Sequence, residues 1–259
     1  MFLPRSGHHQ SSTIPDVSSY SVLAANIRRK VKKFISFRPT IEMSSTYREI
    51  HILSGRKTAS TTLSKSFTAL FPNVPVFHYH IITGELELAL KQKKKILIVN
   101  SYREPISRHV SSFFHYLDAH VPEIFTLPVQ SVEQTFPLIE KKMDALLQRR
   151  EYNELFHPFV DLPLPTLWFD AVQKYSFYSH DHMDILLLRF DAIDEWQAQI
   201  GNHFPDFRLV TSNRTENKIH GNHYKYFKEH YDYRKLEVLR ELDKKMLDLY
   251  FCESRPYVG

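Results

Sequence analysis

The 259-residue sequence contains a single cysteine, Cys252, only six glycines and no long hydrophobic run. One cysteine cannot form an internal disulfide, which excludes the small disulfide-stabilised secreted folds. Because no run of eighteen apolar residues is present, we expect no transmembrane helix. The first thirty residues also lack the apolar stretch of a secretion signal. These absences together predict a soluble, cytoplasmic protein.

The composition is that of a globular protein, with 42% hydrophobic residues and enough length for one α/β domain with a single core. The formal net charge is +5 when the histidines are counted as neutral. A mildly basic surface suits an anionic ligand, which could be a nucleotide, a nucleic acid, an acidic glycan or a membrane surface. Charge alone does not distinguish between these ligands.

We divide the chain into an N-terminal tail, residues 1–40, and one domain, residues 41–259. The first part of the tail, Met1–Ser19, is rich in serine, proline and histidine and has no clear period. The segment Asn26–Phe37 is basic, and its apolar residues are spaced as on one face of a helix. We therefore expect the tail to be partly disordered or to form a basic helix.

The domain alternates between strand and helix patterns. The predicted strands are Tyr47–Leu53, Val74–Ile82, Ile96–Asn100 and Asp184–Phe190. The predicted helices are Thr61–Leu70, Gly84–Lys91, Pro105–Leu117, a capping-box helix from Ser131 to Arg150, Ile193–Ile200 and Tyr231–Phe251. Strands separated by helices predict a three-layer α/β fold with a central parallel sheet covered on both faces. Ligands of such folds bind at the carboxyl ends of the strands.

The segment Ser54–Leu63 links the first predicted strand to the first predicted helix. It reads Ser-Gly-Arg-Lys-Thr-Ala-Ser-Thr-Thr-Leu, so it places hydroxyls, backbone N–H groups and Lys57 at a helix N-terminus, where anions bind. It is not a Walker A loop, because the second glycine and the Gly-Lys-Ser/Thr ending are absent. By itself, such a segment is more typical of an ordinary helix cap.

A second segment, Tyr102–His115, follows the buried strand Ile96–Asn100. Arg103 precedes a predicted helix and Ser111 lies two turns into it, so a guanidinium and a hydroxyl could converge on one phosphate. Arg103 could instead pair with a carboxylate, and Ser111 could be a surface residue.

In this order and spacing, the two segments resemble the sulfotransferase superfamily, whose members transfer a sulfuryl group from 3′-phosphoadenosine-5′-phosphosulfate (PAPS). Arg56–Leu63 is similar to the family's first loop, commonly Pro-Lys-Thr-Gly-Thr-Thr-Ser-Leu. Arg103-Glu104-Pro105, followed by Ser111, is similar to the second motif, which starts Arg-Asp-Pro. The resemblance implies a P-loop-like sulfotransferase fold. Two residues depart from the family pattern, since Arg56 replaces the usual proline and Ala59 the usual glycine.

The resemblance also implies which residues bind PAPS. The first loop would bind the 5′-phosphosulfate through Arg56, Lys57, Thr58, Ala59, Ser60, Thr61 and Thr62. Lys57 would also be catalytic, because its charge would stabilise the bridging oxygen as the bond to sulfur breaks. Arg103 and Ser111 would bind the 3′-phosphate, and Lys218 falls where the family often has a loop that closes over the nucleotide. No metal ion is implied.

A pair of histidines lies between the two motifs, in the segment Phe77-His78-Tyr79-His80. On a strand, His78 and His80 share one face, where two histidines are more often packing or surface residues. No cysteine or acidic cluster adjoins them, so no metal site is predicted. The segment resembles the His-x-His of the uronyl 2-O-sulfotransferases, and this match implies that His80 is the general base and His78 a supporting residue.

A weaker resemblance covers the C-terminal half, where Leu167–Asp170, Leu187–Asp191 and Asn217–Lys225 are similar to bacterial capsular polysaccharide synthesis proteins. It implies a saccharide or polysaccharide acceptor, without nucleic acid as a partner. Two alternatives stay open. The chain could be a catalytically inactive relative that binds glycans or polyanions, which Ala59 would favour. It could also be a P-loop nucleotide kinase, for which Asp191 is the only candidate Mg²⁺ ligand after a strand.

Overall fold

The structure is a computed structural model, and it describes residues 47–80, 82–126, 131–148, 167, 169–210 and 221–251. These residues belong to one compact unit. The predicted tail (residues 1–40), Trp168 and Lys218 lie outside the described residues. Within the described ranges, no helix is both long enough and apolar enough to cross a membrane.

The centre of the fold is a sheet whose described strands are β1 (Glu49–Leu53), β2 (Val76–Tyr79), β3 (Ile96–Tyr102), β4 (Tyr175–His180) and β5 (Met183–Arg189). Their order across the sheet is β2-β1-β3-β5-β4. The predicted parallel arrangement is found for β1, β2, β3 and β5. It is wrong at one edge, where β4 pairs antiparallel with β5. Only two residues, Asp181 and His182, join these strands, and so short a link permits only an antiparallel pair.

Helices account for most of the remaining described residues. They are α1 (Ser60–Leu70), α2 (Gly84–Lys91), α3 (Pro105–His115), α4 (Leu117–His120), α5 (Glu123–Thr126), α6 (Val132–Gln148), α7 (Trp196–Gly201), α8 (Gly221–His230), α9 (Val238–Leu242) and α10 (Lys244–Phe251). The capping box predicted before α6 is confirmed, because the Gln134 N–H donates to Ser131 Oγ and the Ser131 N–H to Gln134 Oε1. The sequence analysis places no element at α8.

Helices cover both faces of the sheet. One face is buried under α2 and α10, and its core includes Leu86, Ile98, Ile185 and Tyr250. The other face is buried under α1 and α7, and its core includes Ile52, Leu63, Phe67 and Trp196. All seven residues of β3 are buried, which explains why this strand is an almost continuous apolar run.

The long terminal helix predicted over Tyr231–Phe251 is wrong. This part of the chain forms a short 3₁₀ helix, Tyr233–Leu236, followed by α9 and α10. The chain bends at Asp243, whose buried carboxylate accepts hydrogen bonds from Tyr102 and Arg108. Burial raises the pKa of Asp243 to about 6, although Arg108 opposes the shift. A continuous helix pattern does not reveal that one acidic residue turns inward.

A buried pair of side chains connects α10 to the end of β1. The hydroxyl of Tyr250 donates to Asn100 Oδ1, and Asn100 Nδ2 donates to the carbonyl oxygen of Leu53. Leu53 is the last residue of β1 and immediately precedes the loop that contains Lys57. The last described helix therefore helps to fix the position at which this loop begins.

We expect Tyr250→Phe to destabilise the protein. It removes the hydroxyl and leaves a buried amide oxygen without its donor, a change that typically costs about 1–3 kcal/mol in the free energy of unfolding. Urea denaturation of both proteins measures the difference. Tyr116→Phe is a matched control at a side chain that is 42% exposed, and it should change stability by less than about 0.5 kcal/mol. Equal stability of Tyr250→Phe and the wild type would contradict this account.

Candidate functional site

The candidate residues gather at the carboxyl edge of the parallel strands. β1 lies between β2 and β3 in the sheet. The chain leaves β1 towards β2 and then crosses back past β1 to form β3, so the connections reverse direction at β1 and β3. In open α/β sheets the crevice at such a reversal is the usual ligand site. The loops that follow β1, β2 and β3 all begin at this edge.

The loop between β1 and α1 is held by Ser101, a buried residue of β3. The Ser101 N–H donates to Ser54 Oγ over 2.8 Å, and the Ser101 hydroxyl donates to the carbonyl oxygen of Thr58 over 2.8 Å. Within the loop, Thr58 Oγ1 donates to the carbonyl oxygen of Gly55 over 2.7 Å. Hydroxyls at both ends of the loop therefore fix its backbone against the sheet.

The loop contains two non-glycine residues with left-handed backbone conformation, Lys57 and Ala59, each at φ 62°. Such turns aim successive N–H groups to one side and form anion-binding concavities. Ala59 is also the N-cap of α1 and has no side-chain acceptor for the N–H groups of the first turn, which contains no acidic residue. The start of α1 therefore has the polarity that attracts an anion.

The seven predicted loop residues differ in their exposure to solvent. Arg56 and Thr61 are exposed, Lys57 and Ala59 are partly buried, and Thr58, Ser60 and Thr62 are buried. The hydroxyl proton of Thr58 is already used within the loop. Thr58 therefore shapes the loop, whereas Lys57 and Thr61 can reach a ligand directly.

Arg103 connects the second motif to the first loop. Its Nη1 donates to the carbonyl oxygen of Lys57 over 3.3 Å, and its Nε donates to Ser107 Oγ over 3.0 Å. Its guanidinium also lies over the ring of Phe190, with 4.3 Å to the ring centroid. Burial lowers the pKa of Arg103, and contact with Tyr224 partly offsets this shift. A largely desolvated cation at this edge favours an anionic ligand.

Ser107 and Tyr224 are contacts of Arg103 that the sequence analysis did not include. Ser107 lies four residues after Arg103, and this spacing was the available signal for it. Ser111 lies one turn further along α3 and is only 3% exposed, so an anion could reach its hydroxyl only if neighbouring side chains moved. Ser107 and Tyr224 also line a surface pocket of about 250 Å³, whose other lining residues are Glu104, Ile106, Val110, Lys228, Tyr233, Glu237 and Arg240.

The structure determines which nitrogen of His80 carries its proton. Nδ1 of His80 lies 2.8 Å from the carbonyl oxygen of Ser54. Since a carbonyl oxygen only accepts, Nδ1 is the protonated nitrogen of the neutral ring and Nε2 retains its lone pair. His80 follows β2 directly, at the edge of the sheet where the first loop also lies. Its Nε2 therefore has the form that a general base requires.

The described residues contain no group of three or more histidine, cysteine, aspartate or glutamate side chains arranged to hold a metal ion. Asp191, the candidate Mg²⁺ ligand of the kinase alternative, accepts hydrogen bonds from Nε and Nη2 of Arg189. This ion pair with Arg189 neutralises part of the charge that Asp191 would offer to Mg²⁺.

We expect Ala59→Gly to stabilise the protein by about 0.5–1 kcal/mol. Left-handed conformation costs a non-glycine residue roughly 1–2 kcal/mol, and the greater chain entropy of glycine offsets part of this gain. Thermal denaturation measures the change. Ala198→Gly is the matched control, since Ala198 is exposed within α7, and it should lower stability by about 1 kcal/mol. A loss of stability in Ala59→Gly, like the loss expected of the control, would show that Ala59 is not strained.

No protein-family model matches the chain, and no curated protein is significantly similar to it in sequence. The resemblance to sulfotransferases therefore depends on the motif residues, and the function is argued from their geometry.

Proposed function

We propose that the protein is a sulfotransferase, which transfers a sulfuryl group from PAPS to a hydroxyl of a saccharide or polysaccharide. The observation that carries this proposal is the contact between the two motifs, in which Arg103 Nη1 donates to the carbonyl oxygen of Lys57 over 3.3 Å. Segments 46 residues apart thereby bring the Arg103 guanidinium, the backbone of the loop that contains Lys57 and a helix N-terminus without a side-chain cap to one edge of the sheet. A nucleotide with separate 5′ and 3′ phosphate groups has the charge distribution that such a site binds.

The proposed donor would lie along this edge. Its 5′-phosphosulfate would lie at the start of α1, within reach of Lys57 and Thr61. Its 3′-phosphate would bind Arg103, with Ser107 nearer to the guanidinium than the predicted Ser111. A role for Lys218 in closing over the nucleotide stays a prediction.

In the proposed reaction, the acceptor oxygen forms a bond to sulfur while the bond between sulfur and the bridging oxygen breaks. The acceptor proton passes to Nε2 of His80. The negative charge that develops on the bridging oxygen is stabilised by Lys57. The products are a sulfate ester and adenosine 3′,5′-bisphosphate. Positioning and charge stabilisation account for most of the catalysis in such a transfer.

Two observations favour this proposal over the alternatives. Ala59 adopts φ 62°, which is the conformation that glycine would supply, so the substitution leaves the loop folded and weakens the argument for an inactive relative. Asp191 is paired with Arg189, so its charge is already partly neutralised and it is a weaker candidate for holding the Mg²⁺ of a kinase. The saccharide acceptor is supported by resemblance alone.

We expect the protein to bind adenosine 3′,5′-bisphosphate without a metal ion. We expect Arg103→Ala to weaken this binding about 10- to 100-fold, because a hydrogen bond to a charged group contributes about 1.5–3 kcal/mol. Calorimetry with a chelator present measures the affinity. Arg234→Ala is the control, because Arg234 is an exposed arginine whose described partner is Asp232.

The comparison with adenosine 5′-monophosphate tests the position of the 3′-phosphate. Arg103→Ala should remove most of the preference for the bisphosphate, whereas Arg234→Ala should keep it. Strict dependence on metal, or a preference for ATP over the bisphosphate, would contradict the proposed function.

We expect His80→Ala to lower turnover by roughly 10²- to 10⁴-fold, the usual contribution of a general base, with little change in affinity for the bisphosphate. Transfer of radiolabelled sulfate from PAPS to a panel of glycans measures turnover, and calorimetry measures the affinity.

The matched control is His182→Ala, since His182 lies at the opposite edge of the sheet, next to the first residue of β5. It should leave turnover unchanged. Near-normal turnover of His80→Ala would assign the base to another residue. Transfer to phenols or tyrosine peptides alone would contradict the saccharide acceptor.

A further inference from the structure

Ser60 and His78 form a contact that the general-base role of His80 does not use. Ser60 is the first residue of α1 and is 5% exposed. Its Oγ lies 2.7 Å from Nε2 of His78, which projects from the neighbouring strand β2. The contact therefore joins a hydroxyl at the candidate anion site to a ring that can either donate or accept a proton.

The direction of this hydrogen bond determines whether Ser60 can donate a hydrogen bond to an anion. A serine hydroxyl has one proton to donate and two lone pairs. If Ser60 donates to Nε2 of His78, its oxygen presents lone pairs to the anion and repels it. If Nε2 carries the proton and donates to Ser60, the serine proton is available to the anion.

The surroundings favour the second arrangement once an anion is bound. The field at the start of α1 attracts negative charge, and Ala59 provides no side-chain acceptor there. The titratable group beside His78 is His80, with 4.9 Å between the ring centroids. Burial lowers the pKa of His78, and His80 lowers it further. The lowered pKa favours the neutral ring, and a neutral ring that carries its proton on Nε2 supplies the donor to Ser60.

We propose that His78 is a positioning residue that directs the Ser60 hydroxyl, as a hydrogen-bond donor, towards the 5′-phosphate of the bound nucleotide. This inference rests on the proposed function, which supplies the nucleotide. His78 touches neither the sulfur nor the acceptor in this arrangement, so its loss affects binding at the 5′ end and not proton transfer.

The test compares affinities for adenosine 3′,5′-bisphosphate and adenosine 3′-monophosphate, which differ only in the 5′-phosphate. We expect Ser60→Ala and His78→Ala each to reduce the wild-type preference for the bisphosphate about tenfold, as a lost hydrogen bond to a charged group does. Because both changes remove the same interaction, the double variant should lose little more than either single variant. Losses that add fully in the double variant would overturn the inference.

Two further variants separate positioning from a general effect on folding. His78→Gln retains a side-chain N–H donor and should restore most of the preference that His78→Ala loses. His182→Ala, at the opposite edge of the sheet, should leave the preference unchanged. Failure of the glutamine variant to exceed the alanine variant, when both are folded by circular dichroism, would overturn the inference.

A nitrogen NMR titration tests His78 independently of the nucleotide. On addition of inorganic sulfate, the ¹⁵N shifts of His78 should move to those of the Nε2–H form, and Ser60→Ala should weaken the response. If the wild-type protein binds both nucleotides equally, the proposed position of the 5′-phosphosulfate of PAPS is wrong. The titration still tests His78 in that case, because it uses sulfate and no nucleotide. An Nε2 that stays unprotonated, or no response to sulfate, would overturn the inference.

Discussion

The geometry of the candidate site depends on the hydrogen bonds that Ser101 makes from β3 to the loop after β1. These bonds hold Ser54 and the Thr58 carbonyl against the sheet, and the residues around Thr58 adopt conformations that a free chain would avoid. The hydrogen bonds to the sheet therefore offset the conformational free energy that these loop residues cost. Lys57, the start of α1 and the carbonyl that binds His80 all take their positions from this anchor.

Fixing the backbone in this way also determines the charge of the site. Arg103 contacts a carbonyl oxygen, a serine hydroxyl and the face of Phe190. These hydrogen-bond and ring partners are neutral, although the nearby carboxylate of Glu104 also attracts the guanidinium. At the start of α1, neither the N-cap nor the first turn provides an acidic side chain. The start of α1 therefore keeps its attraction for an anion.

Local patterns in the sequence were sufficient for much of the fold. The helix Gly84–Lys91 and the capping box at Ser131 are read from periodicity and neighbouring residues, and the structure confirms both. The errors arose where tertiary contacts decide. The inward turn of Asp243 depends on Arg108, 135 residues away, and the antiparallel edge strand β4 depends on pairing with β5. In the site, Ser60 lies near His78 because α1 follows β1 and β2 pairs with β1. The spacing of the motif residues along the sequence does not show this strand pairing.

The bond from Tyr250 to Asn100 has a consequence for the order in which the molecule can be made. It joins residues 150 positions apart, so the ribosome completes both motif segments long before Tyr250 emerges. Until then, Asn100 lacks the partner that fixes the amide holding Leu53. The nascent chain thus carries every described site residue while their common support is incomplete. The hydrogen bond that completes this support can form only after nearly all of the described chain has been synthesised.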